Sequence, residues 1–175
     1  MLKDVLTKNL DVVFCGTAKV KASALKGFYY AGPGNKFYSV LHTVGLTPAK
    51  LEPKDCYDIN KYNIGLTDLV HNEYGNDNQI SSENYDVTGF IAKIEMFQPK
   101  YIAFNSKKAA SFVLGYQGIT SLVNYGLQKK NIGQSKLFVL PSTSGSSRRY
   151  WDEGYWFELK KLIDQERVST PSLLL

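Results

Sequence analysis

Apolar positions along this chain come in two rhythms, and the alternation between them sets out the architecture. Val12, Val13, Phe14 and Cys15 run unbroken and stop at Gly16, the signature of a strand buried on both faces that delivers a loop to a sheet edge. Phe37, Val40, Leu41 and Val44 then fall at i, i+3, i+4 and i+7, predicting an amphipathic helix over residues 34 to 46 that ends at Gly45. Residues 62 to 70 read as a second strand, and residues 71 to 82, rich in Asn, Gly, Glu and Ser, as a loop. Helical spacing returns at Val87, Phe90, Ile91 and Ile94 and must stop before Pro99. A short strand, Tyr101 to Phe104, leads into a helix capped by Asn105 or Ser106, with Ala109, Phe112 and Val113 facing inward. The pattern is undecided from 119 to 135. Leu137 to Leu140 form a last strand before Pro141, and Tyr155, Trp156, Leu159, Leu162 and Ile163 mark a closing helix of about four turns. Strand and helix alternating in this way predict an α/β fold, three layers αβα around a short central parallel sheet. One domain is expected over residues 1 to 175, with a frayed tail from about residue 169.

Composition narrows the function classes. Hydrophobic residues make up 43% and charged residues 21% of 175, which suits a globular protein able to bury a core without staples. No apolar run approaches the ~18 residues of a membrane span, and Met1-Leu2-Lys3-Asp4 opens no signal peptide, so a cytoplasmic protein without a membrane partner is expected. Cys15 and Cys56 are expected to stay reduced. His42 and His71 are the only histidines, and without paired Cys or His spacing no metal site and no cofactor are expected. A net charge of +5 favours a polyanionic partner, nucleic acid among them.

Five ordered segments carry more specific information: Val12-Val-Phe-Cys-Gly16, Tyr30-Ala-Gly-Pro-Gly-Asn-Lys-Phe-Tyr38, Ile64-Gly-Leu-Thr-Asp-Leu-Val70, Phe97-Gln-Pro-Lys-Tyr-Ile-Ala-Phe-Asn-Ser-Lys107 and Leu140-Pro-Ser-Thr-Ser-Gly-Ser-Ser-Arg148. In order and spacing they resemble the mismatch-specific uracil-DNA and thymine-DNA glycosylases of the uracil-DNA glycosylase superfamily, over nearly the whole chain. The resemblance implies a monofunctional DNA-repair glycosylase, a monomer without cofactor. Such an enzyme flips a mispaired or damaged base out of DNA and hydrolyses the bond joining it to deoxyribose. Extrusion is cheapest for a mispaired base, so G·U and G·T pairs are the natural targets.

The same resemblance distributes roles. Tyr30 stands where the family stacks an aromatic ring on the flipped base, although it can also be read as one more core aromatic. Thr17 and Ala18 belong to the loop that reads the base edge, with Lys19 beside them assigned to DNA. Asn35 reads as a helix cap. Ser142, Thr143, Ser144, Gly145, Ser146, Ser147, Arg148 and Arg149 match the turn that grips phosphates. Two departures stand out. The branch keeps Gly-x-Asn-Pro-Gly in its first motif, its Asn placing the hydrolytic water, whereas this chain reads Gly16-Thr17-Ala18-Lys19-Val20; and Ser146 occupies the position of a Leu or Arg wedge. Asp68, at the end of the second strand, is the candidate catalytic residue, with a turn-capping role as the alternative and Asn72 and Glu73 as second choices. A catalytically weak or inactive binder of damaged DNA is the competing function. An unrelated nucleotide enzyme is disfavoured, because Gly32-Pro33-Gly34 is too short for a phosphate-binding fingerprint.

Overall fold

The computed structural model describes residues 2–169. Its centre is a five-stranded sheet in the order β2-β1-β3-β5-β4, built from β1 (Val12–Gly16), β2 (Ile64–Asp68), β3 (Tyr101–Phe104), β4 (Gly126–Ile132) and β5 (Ser135–Val139). Phe14 of β1 lies opposite Leu66 of β2 and Ala103 of β3, and Ala103 in turn opposite Phe138 of β5, all in parallel register. Only β4 runs antiparallel, paired to β5 through a turn at Gly133 and lying in the stretch whose pattern was undecided. Its inner residues Leu127 to Lys130 are exposed or half-exposed, as on an edge strand, and so leave no apolar alternation to read.

Helices cover both faces, as the alternation predicts. On one face Val12 and Phe14 pack against α2 (Phe37–Thr43) and α5 (Gly154–Ser169), with Phe37, Leu41, Trp156 and Leu159 fully buried. On the other, Cys15 and Phe104 pack against α3 (Val87–Phe97) and α4 (Lys107–Val113) through Phe90, Ile94, Ala109 and Val113. Ser106 is the cap of α4, its hydroxyl accepting from the Ala109 amide at 3.1 Å, while Asn105 is used elsewhere. Asp86 caps α3 in the same way through Gly89. The chain's last helix is tied to its first strand by Arg167, which donates to buried Asp11 at 2.6 and 2.9 Å. Ser169 closes that helix, and the tail expected to fray, residues 170–175, lies outside the described residues.

One α-helix was not foreseen. α1 (Lys21–Lys26) buries only Ser23 and leaves Leu25 78% exposed, so it has no apolar stripe to betray it. It is placed by its surroundings rather than by amphipathicity: Ser23 accepts from the Ala31 amide at 3.0 Å and so fastens α1 to the segment carrying Tyr29 and Tyr30.

Candidate active site

The four parallel strands point their carboxyl ends the same way, and a cleft of about 800 Å³ opens there. Its floor and walls come from distant parts of the chain: the loop after β1 (16–20), the Tyr30 segment, Asp68, residues 75–78, the Asn105-Ser106 step after β3, and the turn 142–148 after β5.

Asp68 ends β2 opposite Gly16 and is 7% exposed. The two positions fit only because residue 16 has no side chain: a Cβ there would stand 2.7 Å from Asp68 Oδ1. Burial pushes the Asp68 carboxyl up to about 7, with Asp4 adding to the rise and Lys19, Lys93 and the Gly16 backbone opposing it. Behind it runs a chain of polar contacts. Asp4 pairs with Lys93 at 2.5 Å and accepts from Thr67 at 2.7 Å; Lys93 also approaches His71 at 3.4 Å, and the His71 carbonyl accepts from Lys19 at 3.0 Å. A buried carboxyl poised near neutrality among such groups is suited to taking a proton from water.

Tyr30 lies in the left-handed region, φ 54°, a conformation a tyrosine adopts at a cost of about 1 kcal/mol or more. Neighbouring contacts hold it there: Tyr38 donates to the Tyr29 carbonyl at 2.6 Å, and Ser23 takes the Ala31 amide. Its ring stacks on Phe37 with centroids 3.9 Å apart, and the residue lines the cleft. Tyr30 thus abuts the core through Phe37 and also forms cleft wall. Its buried hydroxyl makes no hydrogen bond to the protein. Burial above all, then Asp68, hold that hydroxyl protonated, and Asn105 opposes them as a side-chain neighbour short of full hydrogen-bond geometry.

The Ser-rich turn is bound to the rest of the cleft by backbone and side chain. Asn105 and Thr143 exchange hydrogen bonds, Nδ2 to Oγ1 at 2.9 Å and Oδ1 from the Thr143 amide at 3.2 Å, and the Thr143 carbonyl accepts from the Lys36 amide at 2.9 Å. Ser144 caps the short 3₁₀ turn 145–150 and meets the Ser146 hydroxyl at 2.9 Å. Ser142, Thr143, Ser144, Gly145, Ser146, Ser147 and Arg148 all line the cleft, Arg148 standing over Gly34, where a Cβ would lie 3.3 Å from its guanidinium. Arg149 is not part of this lining; its guanidinium lies 4.8 Å over the Tyr150 ring, because the tight turn sends successive side chains to different sides. Asn35 accepts from the Phe37 amide at 3.0 Å but stands one residue before the N-cap of α2, which is Lys36, and it also lines the cleft.

The first-motif residues are present in the same wall. Thr17 is buried and donates its hydroxyl to Asp77; Ala18 packs partly on the core beneath; Lys19 lines the cleft but spends its ammonium on the His71 carbonyl. Asp77 was not anticipated. Residues 71–80 double back over the first-motif loop, the Gly75 amide donating to the Lys19 carbonyl at 3.0 Å, which carries Asp77 into the cleft and leaves Asn72 and Glu73 outside its lining. Glu73 instead accepts from Asn84 at 2.6 Å. Asn105 is the other residue missed: one of two candidate caps for α4, it instead joins two loops. Among the described residues no cluster of His, Cys, Asp and Glu could hold a metal ion, and no helix is long and apolar enough to cross a membrane.

Fold and cleft together define an α/β protein with a cleft at the carboxyl ends of its parallel strands, between the Tyr30 ring and a hydroxyl-rich turn. The chain belongs to the Uracil DNA glycosylase superfamily, whose family model matches residues 3–164. Its fold is similar to the solution NMR structure of a "putative Uracil DNA glycosylase" from Methanosarcina acetivorans, with 23% identity, a TM-score of 0.67, and 93% of this chain and 96% of that chain covered. At that identity the likeness speaks for the fold.

Proposed function

We propose that this chain is a monofunctional DNA glycosylase of the mismatch-specific kind, releasing uracil or another deaminated base from mispaired DNA, with Asp68 in place of the absent first-motif amide. The observation that carries the reading is Asp68 itself: a buried carboxyl pushed up to about 7, pressed against Gly16 in the loop where Ala18 has no group to hold water. In this reading the flipped base stacks on the face of Tyr30 that Phe37 leaves open, a contact worth about 1 to 3 kcal/mol in comparable sites. The Thr17 backbone faces the base edge, while the turn 142–147 and Arg148 take the flanking phosphates. Ionised Asp68 accepts a proton from water as the water oxygen attacks C1′ of the sugar. The glycosidic electron pair leaves with the base, which then takes a proton from solvent. The same carboxylate favours the positive charge that develops on the sugar.

The second reading, a binder of damaged DNA with little or no catalysis, draws on Ala18 and on the small exposed Ser146 at the wedge position. Single-turnover base release from duplexes carrying uracil, thymine or hypoxanthine opposite guanine separates the two. Release of uracil by the wild type, increased in Ala18→Asn, is the expected result. Release only by Ala18→Asn would favour the binder, and none by either protein would end the glycosylase reading.

A further inference from the structure

Resting on that reading, the strongest unused feature of the cleft is the Tyr30 hydroxyl. It is buried and makes no protein hydrogen bond, a costly arrangement for a group held rigidly by ring stacking on Phe37 and by the fixed backbone on either side. It also has a definite neighbourhood. The point where a side chain on Gly16 would begin lies 3.8 Å from the Tyr30 oxygen and 2.7 Å from Asp68 Oδ1. Both oxygens thus adjoin one spot that only glycine leaves open. A polar spot with two or more convergent partners is where an ordered water is retained.

We infer that the Tyr30 hydroxyl and the Asp68 carboxylate together hold the attacking water above Gly16, so that Tyr30 serves the reaction through its oxygen as well as through its ring. The geometry divides the water's valences without conflict. One of its hydrogens goes to Asp68, one lone pair accepts the Tyr30 O–H, and the second lone pair is directed at C1′. On attack the C1′–O bond forms and the C1′–N bond breaks, the base leaving with its electrons. The proton passes to Asp68, and Tyr30 keeps its own. This assigns to Tyr30 and Asp68 jointly the orientation that one amide at position 18 would supply, and it explains why residue 16 has no side chain.

Tyr30→Phe removes the oxygen and keeps the stacking ring. The test measures single-turnover release of uracil from a G·U duplex by the full chain as wild type, Tyr30→Phe, Asp68→Asn and the double variant. Affinity for the same duplex bearing a non-hydrolysable 2′-fluorinated deoxyuridine is measured in parallel. Tyr30→Phe is expected to slow release roughly ten- to a hundredfold with affinity and melting temperature unchanged. The double variant should be no slower than Asp68→Asn alone, because both changes release the same water. An active wild type with Tyr30→Phe equally fast overturns the inference while leaving the glycosylase reading intact. So does a loss of affinity matching the loss of rate, which would make the oxygen a contact to the base. A wild type that releases no base overturns both.

Discussion

Replacing Asp68 by Asn should make the protein more stable and less active, with the stability gain growing as pH rises. The side chain keeps its shape and loses its titration. The carboxyl is 7% exposed and pushed from 3.8 to about 7 by burial above all, so its full ionisation in the folded state costs on the order of 4 kcal/mol. The sign follows from which state holds the proton. In the unfolded chain Asp68 ionises near pH 4, whereas the folded chain keeps it protonated until about 7. The cost is therefore absent at low pH, grows between pH 4 and 7, and is complete above 7. From pH 5 to pH 8 the wild type should lose about 2 to 3 kcal/mol relative to Asp68→Asn. Urea denaturation of both proteins at several pH values measures this. The change in their difference is the readout, since any misfit of the Asn amide shifts every point alike. Over the same range wild-type base release should rise about tenfold per pH unit and level off near 7, while the variant is slower by roughly 10²- to 10³-fold and flat. Stability curves that stay parallel from pH 5 to 8 would refute the buried, neutral-poised carboxyl on which the mechanism depends.

Two further outcomes test the cleft. Gly16→Ala puts a methyl 2.7 Å from Asp68 Oδ1 and should cost at least tenfold in release with a fold that remains intact by circular dichroism; full activity would mean the carboxylate does not work from that position. Arg148→Ala should weaken binding to duplexes of any sequence and lower the salt slope by about one, whereas Arg149→Ala, facing Tyr150 outside the cleft, should change either far less; equal effects in fluorescence titrations would assign both arginines to phosphate.

What the sequence disclosed and what it withheld follow from the range of the forces involved. β1, β2, β3 and the helices carrying Phe37, Phe90 and Trp156 were legible because burial writes itself into local periodicity. α1 and β4 were not, because each is half exposed and held by tertiary neighbours. Among candidate site residues, Asp68, Tyr30 and the turn 142–148 could be singled out by resemblance and do converge on one cleft. Asp77 could not be found, since it reaches Thr17 across a 60-residue separation by a loop fold that no spacing encodes. Asn105 was passed over for the opposite reason: its local context, a strand end before Ser106, already offered it an ordinary job as one of two candidate caps.

The paired exchange between Asn105 and Thr143, backed by the Lys36 amide on the Thr143 carbonyl, makes the cleft a calliper with its jaws bolted. The jaw that would receive a base and the jaw that would receive phosphate are fastened to each other as well as to the sheet, so neither can slide to suit a longer or bulkier guest. In the proposed function, such an instrument measures span first. Its choice among guests of the right span must then be made by the few side chains between the jaws, and a change of preference is a matter of substituting those residues rather than of loosening the loops.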